Sequence, residues 1–339
     1  MTASVSGQEA KTLDGSAQHA NTLSRGQALA LLVLTNTLWA GTYAAGKIAL
    51  RYLTPIELNA IRFTIATIAL SPVLISQWRR IPRDRHTVLT LVALSLIGFV
   101  FNKAFEYFGL ALSTASDVAL LIATESLFTA LISWTLLRER VTRSGVLALV
   151  VGMAGVYLIV ERGVAPNLGG AGVNQGARII GDLLVILSLL LESGYTVLGK
   201  RVIVEMPPLL FMTVTLAGSL FIWLPAGAVA VAQTGWPHVP LEGWLAVLYM
   251  ALVATGIGYW LWFRALRALD ASVAAPTLFI QPLLGVGLAV WLVGDTLTWA
   301  TIAGGALICV SLVLVMRRGR RSEPTTALAA LDELGESTP

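Results

Sequence analysis

The sequence predicts an all-α integral membrane protein whose ten transmembrane helices form two inverted five-helix repeats. Three observations lead there. Of its 339 residues 56% are hydrophobic and only 12% charged, with a mean hydropathy of +0.77, well outside the composition of a soluble domain. Apolar runs able to cross about 30 Å of hydrocarbon, at roughly 20 residues each, follow one another almost without interruption. Two stretches of the first half also recur in the second.

Taken in order, residues 1–26 are polar and lack a short apolar core followed by an A-x-A site, so they read as a disordered cytoplasmic tail, not a cleaved signal. Five runs follow, at 28–49, 55–77, 87–109, 113–137 and 144–160, the last of them short; they make a first repeat over 27–160. A periplasmic linker, 161–178, leads to a second repeat over 179–318, with runs at 179–199, 208–232, 242–263, 273–293 and 298–316. A second polar tail, 319–339, closes the chain. Each run must be helical, because lipid-exposed backbone finds no water to bond with and the turns between runs are short.

Basic residues set the orientation. The net charge of +4 and pI near 9.4 invite a nucleic-acid reading, but 17 of the 23 basic residues fall on alternate loops, in clusters such as Arg79, Arg80, Arg83 and Arg85, or Arg317, Arg318, Arg320 and Arg321. Arg51, Arg162 and Arg178 lie on the other side, and Lys47, Arg62 and Lys103 lie within runs. This asymmetry marks a lipid bilayer as the partner, with no nucleic acid, and puts both termini in the cytoplasm. Cys309 stands alone and has no internal disulfide partner.

The internal similarity is specific. AGTYAAGKIAL (40–50) resembles SGYTVLGKRVI (193–203), and TESLFTALISWTLLRERVT (124–142) aligns without gaps on IQPLLGVGLAVWLVGDTLT (280–298). Five is odd, so the second copy enters from the opposite side and the halves are related by a pseudo-two-fold axis in the membrane plane. Inverted repeats of this kind enclose a midplane site in secondary transporters and rock about it.

The segment LWAGTYAAGKIALRYLTPIELNAIRF (38–63), with Trp39, Gly41, Pro55 and Arg62, and the endings LLRERVT and LVGDTLT resemble the EamA-type repeat of the drug/metabolite transporter superfamily over about 27–316. Arg138 and Asp295 depart from that pattern. Glu125-Ser126 stands where the family commonly has a proline, kept in the second half as Gln281-Pro282. The resemblance implies secondary transport, often outward, of small organic metabolites such as amino acids or their derivatives, and a bacterial inner membrane. The solute, the direction, the coupling ion (protons among them) and the oligomeric state are left open.

Candidate residues follow from depth. Glu125 lies about twelve residues, or roughly 18 Å, into its helix, and Glu192 is comparably deep, aligned with Trp39 of the first repeat. A carboxylate there must face the bundle interior, a partner or water; it either lines a cavity or stays protonated as structural glue. Asn102, Lys103 and Glu106 share one helical face and either neutralise one another or meet a zwitterion. Arg62 either makes a structural pairing or binds a solute carboxylate through its planar fork. Among Tyr259, Trp260 and Trp262, some must face inward, where one could stack on a solute or its cation. Trp236 and Trp244 read as interfacial anchors, and Gly152 and Gly304 as points of close helix approach.

Other classes find little support. The sequence has no Walker loop, nucleophile elbow or metal-ligand cluster, and its three histidines are His19, His86 and His238. No cofactor is implied. An intramembrane enzyme using Glu125 and Glu192 as acid and base lacks a nucleophile, and a passive channel lacks a continuous polar lining. A non-transporting scaffold or receptor is the remaining alternative, distinguished by flux through the purified protein.

Overall fold

Helices account for every regular element among the described residues of the computed structural model, which are 23–125, 128, 132, 143–161, 175–203, 206–266, 277 and 280–319. The expected tails (apart from 23–26 and 319), the linker core 162–174 and the motif ending at 138–142 therefore lie outside them, as do most of 126–142 and of 267–279.

Several helices start where the sequence supplies a side-chain cap. Ser24 and Gln27 form a capping box at α1 (Arg25–Ala40), and Thr54 and Glu57 form another at α3 (Pro55–Gln77), with Pro55 in the first turn. The first run is broken at Gly41 before α2 (Thr42–Ala49). The Tyr249 hydroxyl lies 2.6 Å from where a Cβ of residue 41 would sit and donates to Leu38 O, so only glycine admits it. At α4 (Arg85–Ser95) the Asp84 carboxylate accepts from Thr87 N at 2.8 Å. That bond holds its carboxyl below the usual carboxylate range.

The third run does not stay α-helical. Beyond α4 it widens into a π-helical stretch, Leu96–Phe101, and resumes as α5 (Asn102–Leu112). In the second half, α10 (Leu241–Leu248) likewise widens over Tyr249–Gly258 before α11 (Tyr259–Leu266). Thr255 Oγ1 bonds Met250 O, five residues back, at 2.9 Å inside that widening. Such turns cluster at functional positions, and here each opens directly onto candidate residues.

The remaining α-helices are α6 (Ala115–Leu121), α7 (Arg143–Glu161), α8 (Gln175–Val202), α9 (Pro208–Thr234), α12 (Ile280–Leu288), which widens in turn over Ala289–Val293, and α13 (Trp299–Gly319). Six spans are long and apolar enough to cross a membrane: Gly26–Ala49, Pro55–Arg80, Arg85–Leu112, Gly176–Thr196, Pro208–Thr234 and Leu241–Ala265. Shorter apolar stretches occupy Val150–Ile159, Ile280–Val293 and Trp299–Ser311. Large apolar side chains point outward along them, Phe221 and Trp299 each being 85% exposed, as hydrocarbon surroundings allow.

Helices pair across the two halves. The first half's α1 packs on α11, α3 on α9, α5 on α8, α6 on α12 and α7 on α13. Pro55 and Pro208 open α3 and α9, and Pro72 and Pro225 lie inside them at matching places. Glycines bring backbones together: a Cβ on Gly109 would meet Gly181 O at 2.6 Å, and one on Gly155 would meet Gly304 O at 2.6 Å.

Two apolar cores result. One contains Phe63, Phe99, Tyr195, Phe211 and Phe263, the other Leu58, Tyr107, Leu110, Leu189 and Met250. Arg62, Lys103, Glu106, Glu192 and Thr255 fall between these two sets along α3, α5, α8 and the widened turn. The polar layer is therefore held at a fixed depth.

Candidate functional site

At that depth lies a cavity with about 60 Å³ open to the centre of a water-sized sphere, room for several waters. Glu125, Glu192, Lys103, Glu106, Arg62, Trp39, Gln281, Tyr259 and Trp262 all line it. Asn102 is buried one bond behind, donating from Nδ2 to Glu192 Oε2. The ten residues singled out from sequence thus come together from both halves of the chain.

Their charges are unevenly matched. Lys103 Nζ stands 2.6 Å from Glu106 Oε2 and 3.2 Å from Glu192 Oε2. Glu192 also accepts from Asn102 and, at Oε1, from Tyr259 OH at 3.3 Å. Its carboxylate is therefore held by three donors on two helices. Arg62 meets no carboxylate among the described residues: Nε and Nη2 donate to Thr255 Oγ1 at 3.2 and 2.9 Å, and Nη1 donates to Tyr107 OH at 2.6 Å. Its guanidinium carbon is also 5.1 and 5.2 Å from the ring centroids of Phe63 and Tyr107. Three carboxylates thus face two cations, and Glu125 is the one whose side-chain oxygens have no hydrogen-bond donor among the described residues.

The internal repeat explains why. Gln281, aligned with Glu125, donates to Asn36 Oδ1 at 2.7 Å, and Asn36 donates to Thr277 Oγ1 at 3.0 Å. Continuing the alignment of 40–50 with 193–203 back one turn pairs Asn36 with Leu189. Leu189 lines the cavity beside Glu125 and offers no hydrogen bond. Only the backbone of Glu125 is tied here, its carbonyl accepting from Ser193 Oγ at 3.1 Å.

Aromatic rings wall the same space. Trp39 is anchored by Nε1 to Ala254 O at 2.9 Å, and its ring lies 5.1 Å from Tyr259 and 5.3 Å from Trp262. Tyr259 and Trp262 are buried while Trp260 is partly exposed, the division expected from 100° per residue. Toward α9, Tyr195 stacks on Phe211 and bonds Thr215 at 3.2 Å.

Tyr43, Tyr107, Tyr195 and Thr255 were not singled out from sequence. Nor was a polar network at the far end of α5. There Lys47 Nζ bonds Leu110 O at 2.8 Å and Ser113 O, Arg178 Nε bonds Asp117 Oδ2 at 3.0 Å, and Ser113 donates to Asp182. Asp117 and Asp182, as acidic residues inside apolar runs, carried the signal that could have found it.

Because three Arg62 nitrogens are already engaged, Arg62→Gln is expected to lower the folded yield and to depress transport of anionic and neutral solutes alike. Thr255→Val should do the same more mildly. Fluorescence-detected gel filtration beside solute uptake checks both; selective loss for carboxylate-bearing solutes, with normal yield, would instead assign Arg62 to solute.

The comparisons agree with this architecture. Residues 26–161 and 179–317 each match the EamA-like transporter family. An "Uncharacterized transporter" of Archaeoglobus fulgidus is 27% identical over 289 residues, covering 84% of this chain and 95% of that one. A "Probable amino-acid metabolite efflux pump" of Salmonella typhimurium is 24% identical, covering 84% and 93%. One crystal structure shares the fold with a TM-score of 0.61 at 20% identity, covering 89% of this chain and 100% of its own. Relatives named as transporters and a family match over most of the sequence lead to one conclusion: the chain belongs to the EamA-like transporter family, whose members are multi-pass membrane transporters of small molecules and not enzymes.

Proposed function

We propose that the protein is a proton-coupled exporter of small amino-acid-like or amphipathic solutes, working by alternating access between two inverted five-helix halves, 27–160 and 179–318. The observation that carries this reading is the central cavity, to which both halves contribute ionisable groups and whose described lining residues include one carboxylate more than cations. Lys103, Glu106 and Glu192 form the pre-organised charge cluster that meets a zwitterion's ends, Trp39, Tyr259 and Trp262 face its apolar part, and Glu125 exchanges a proton for it. Pairing of α1 with α11 and of α5 with α8 supports the pseudo-two-fold, since inversion exchanges one pair for the other. The name of the Salmonella relative supports an amino-acid metabolite as solute and outward direction.

In this reading the protein spans a bacterial inner membrane, with the 1–26 and 319–339 tails in the cytoplasm and 161–178 in the periplasm. Untargeted metabolomics of cells with and without the protein would name candidate solutes. Flux of those solutes in proteoliposomes under imposed gradients then tests transport itself; no flux under any gradient would defeat the reading.

Topology is tested separately. In a Cys309→Ala background, Pro82→Cys should label only from the cytoplasmic side and Trp236→Cys only from the periplasmic side. Labelling of position 82 by an impermeant reagent added outside intact cells would break the inverted arrangement.

A further inference from the structure

A second cavity lies apart from the first. It has about 460 Å³ open to the centre of a water-sized sphere and runs between α4 and the C-terminal end of α8. Its polarity is graded. Pro82, His86, Thr87 and Thr90 line one end; Leu94, Ile97, Leu198, Val202 and Met206 line the rest. From His86 to Ile97 it follows about 16 Å of helix at 1.5 Å per residue, close to half of a roughly 30 Å hydrocarbon core.

Charge gathers at the polar end. Arg79, Arg80, Arg83 and Arg85 are exposed there against one acidic group among the described residues, Asp84, whose carboxylate is occupied in capping α4. Trp78 is half exposed, with the guanidinium carbons of Arg83 and Arg79 at 5.1 and 6.0 Å from its ring. An aromatic ring among arginines at a helix end is the signature of the headgroup layer.

The crevice is poorly suited to pass a polar solute. It loses polar groups toward the bundle instead of gaining them, and it shares no lining residue with the central cavity, whose Tyr195 packs its ring against Gly98 and 5.6 Å from Phe99. A cationic mouth continuing into an apolar slot about one leaflet deep matches a different ligand. We infer that this crevice binds an acidic phospholipid, its phosphate at the arginine and His86 end and an acyl chain along Leu94, Ile97, Leu198 and Val202.

The test uses the full chain purified in a neutral detergent, with thermal unfolding and native mass spectrometry as readouts. Phosphatidylglycerol should raise Tm and remain bound, whereas phosphatidylcholine should do neither. Combining Arg79→Gln and Arg83→Gln, both on the surface, should leave lipid-free Tm unchanged and weaken phosphatidylglycerol binding roughly tenfold or more. Ala93→Phe, at the crevice wall, should displace the lipid while both arginines remain. Equal binding of phosphatidylcholine would overturn the proposal. So would protection by inorganic phosphate alone, which would mean a free-anion site, or undiminished lipid binding by the arginine variant; the latter decides the matter should Ala93→Phe fold poorly.

Discussion

Glu125→Gln is expected to abolish proton-driven transport into vesicles while leaving solute binding and counterflow largely intact. The glutamine keeps shape and volume and removes only ionisation. Glu192, the competing candidate, is held by Lys103, Asn102 and Tyr259, so its charge is already compensated. Glu125 stands in the same cavity with no such donor among the described residues, leaving its carboxyl available to a proton or to an incoming cationic group. If so, the Glu125→Gln, Glu192→Gln double variant should be no worse in coupling than Glu125→Gln alone. A companion substitution probes the cause: Leu189→Asn gives Glu125 the amide that Gln281 finds in Asn36. It should shift the pH dependence of transport and should stabilise the Glu125→Gln variant, since that pair reproduces the Gln281–Asn36 bond. A Gln variant that still concentrates solute, with unaltered pH dependence, would make Glu125 a packing residue.

Gly155→Leu or Gly304→Leu is expected to eliminate monodisperse protein altogether. In each case the first added carbon meets a backbone carbonyl at 2.6 Å, and the next contacts are Ile308 and Ile159 side chains at 2.8 and 2.7 Å. Backbone cannot rotate aside as a side chain can, so separating α7 from α13 should cost more than about 3 kcal/mol, beyond ordinary overpacking. Gly287→Ala is the control, because nothing lies within 4 Å of its added carbon; alanine should be neutral or stabilise α12 by up to ~1 kcal/mol. Gel-filtration profiles and Tm of the three variants decide it, and a well-folded Gly155→Leu protein would show that the contact between α7 and α13 is not structural.

The site was legible in sequence to the extent that hydrocarbon makes polarity conspicuous. Glu125, Glu192 and the Asn102–Lys103–Glu106 cluster each interrupt an apolar run, and expelling them from lipid is what gathers them. The partners of Arg62 were not legible, because Tyr107 and Thr255 are ordinary residues whose meaning depends on a contact 193 positions apart in one case. Asn36 and Gln281, 245 positions apart, are hidden for the same reason. Among the helices, the capped starts at Ser24 and Thr54 were readable in principle, being local. The break at Gly41 was not, since it answers to Tyr249 on a distant helix.

The widened turns at Leu96–Phe101 and Tyr249–Gly258 set the azimuth of everything after them. A helix turns about 100° per residue, and a π turn spreads an extra residue over a nearly unchanged rotation, so winding Leu96–Phe101 as ordinary α-helix with no residue removed would swing Asn102, Lys103 and Glu106 together by about that angle. All three would leave the cavity and face neighbouring helices or lipid, with no change in which amino acids the chain contains nearby. The same holds for Tyr259 and Trp262. Site composition in this protein is therefore a matter of phase as much as of residue identity, and a variant that wound either turn as ordinary α-helix would retain every functional side chain while presenting none of them.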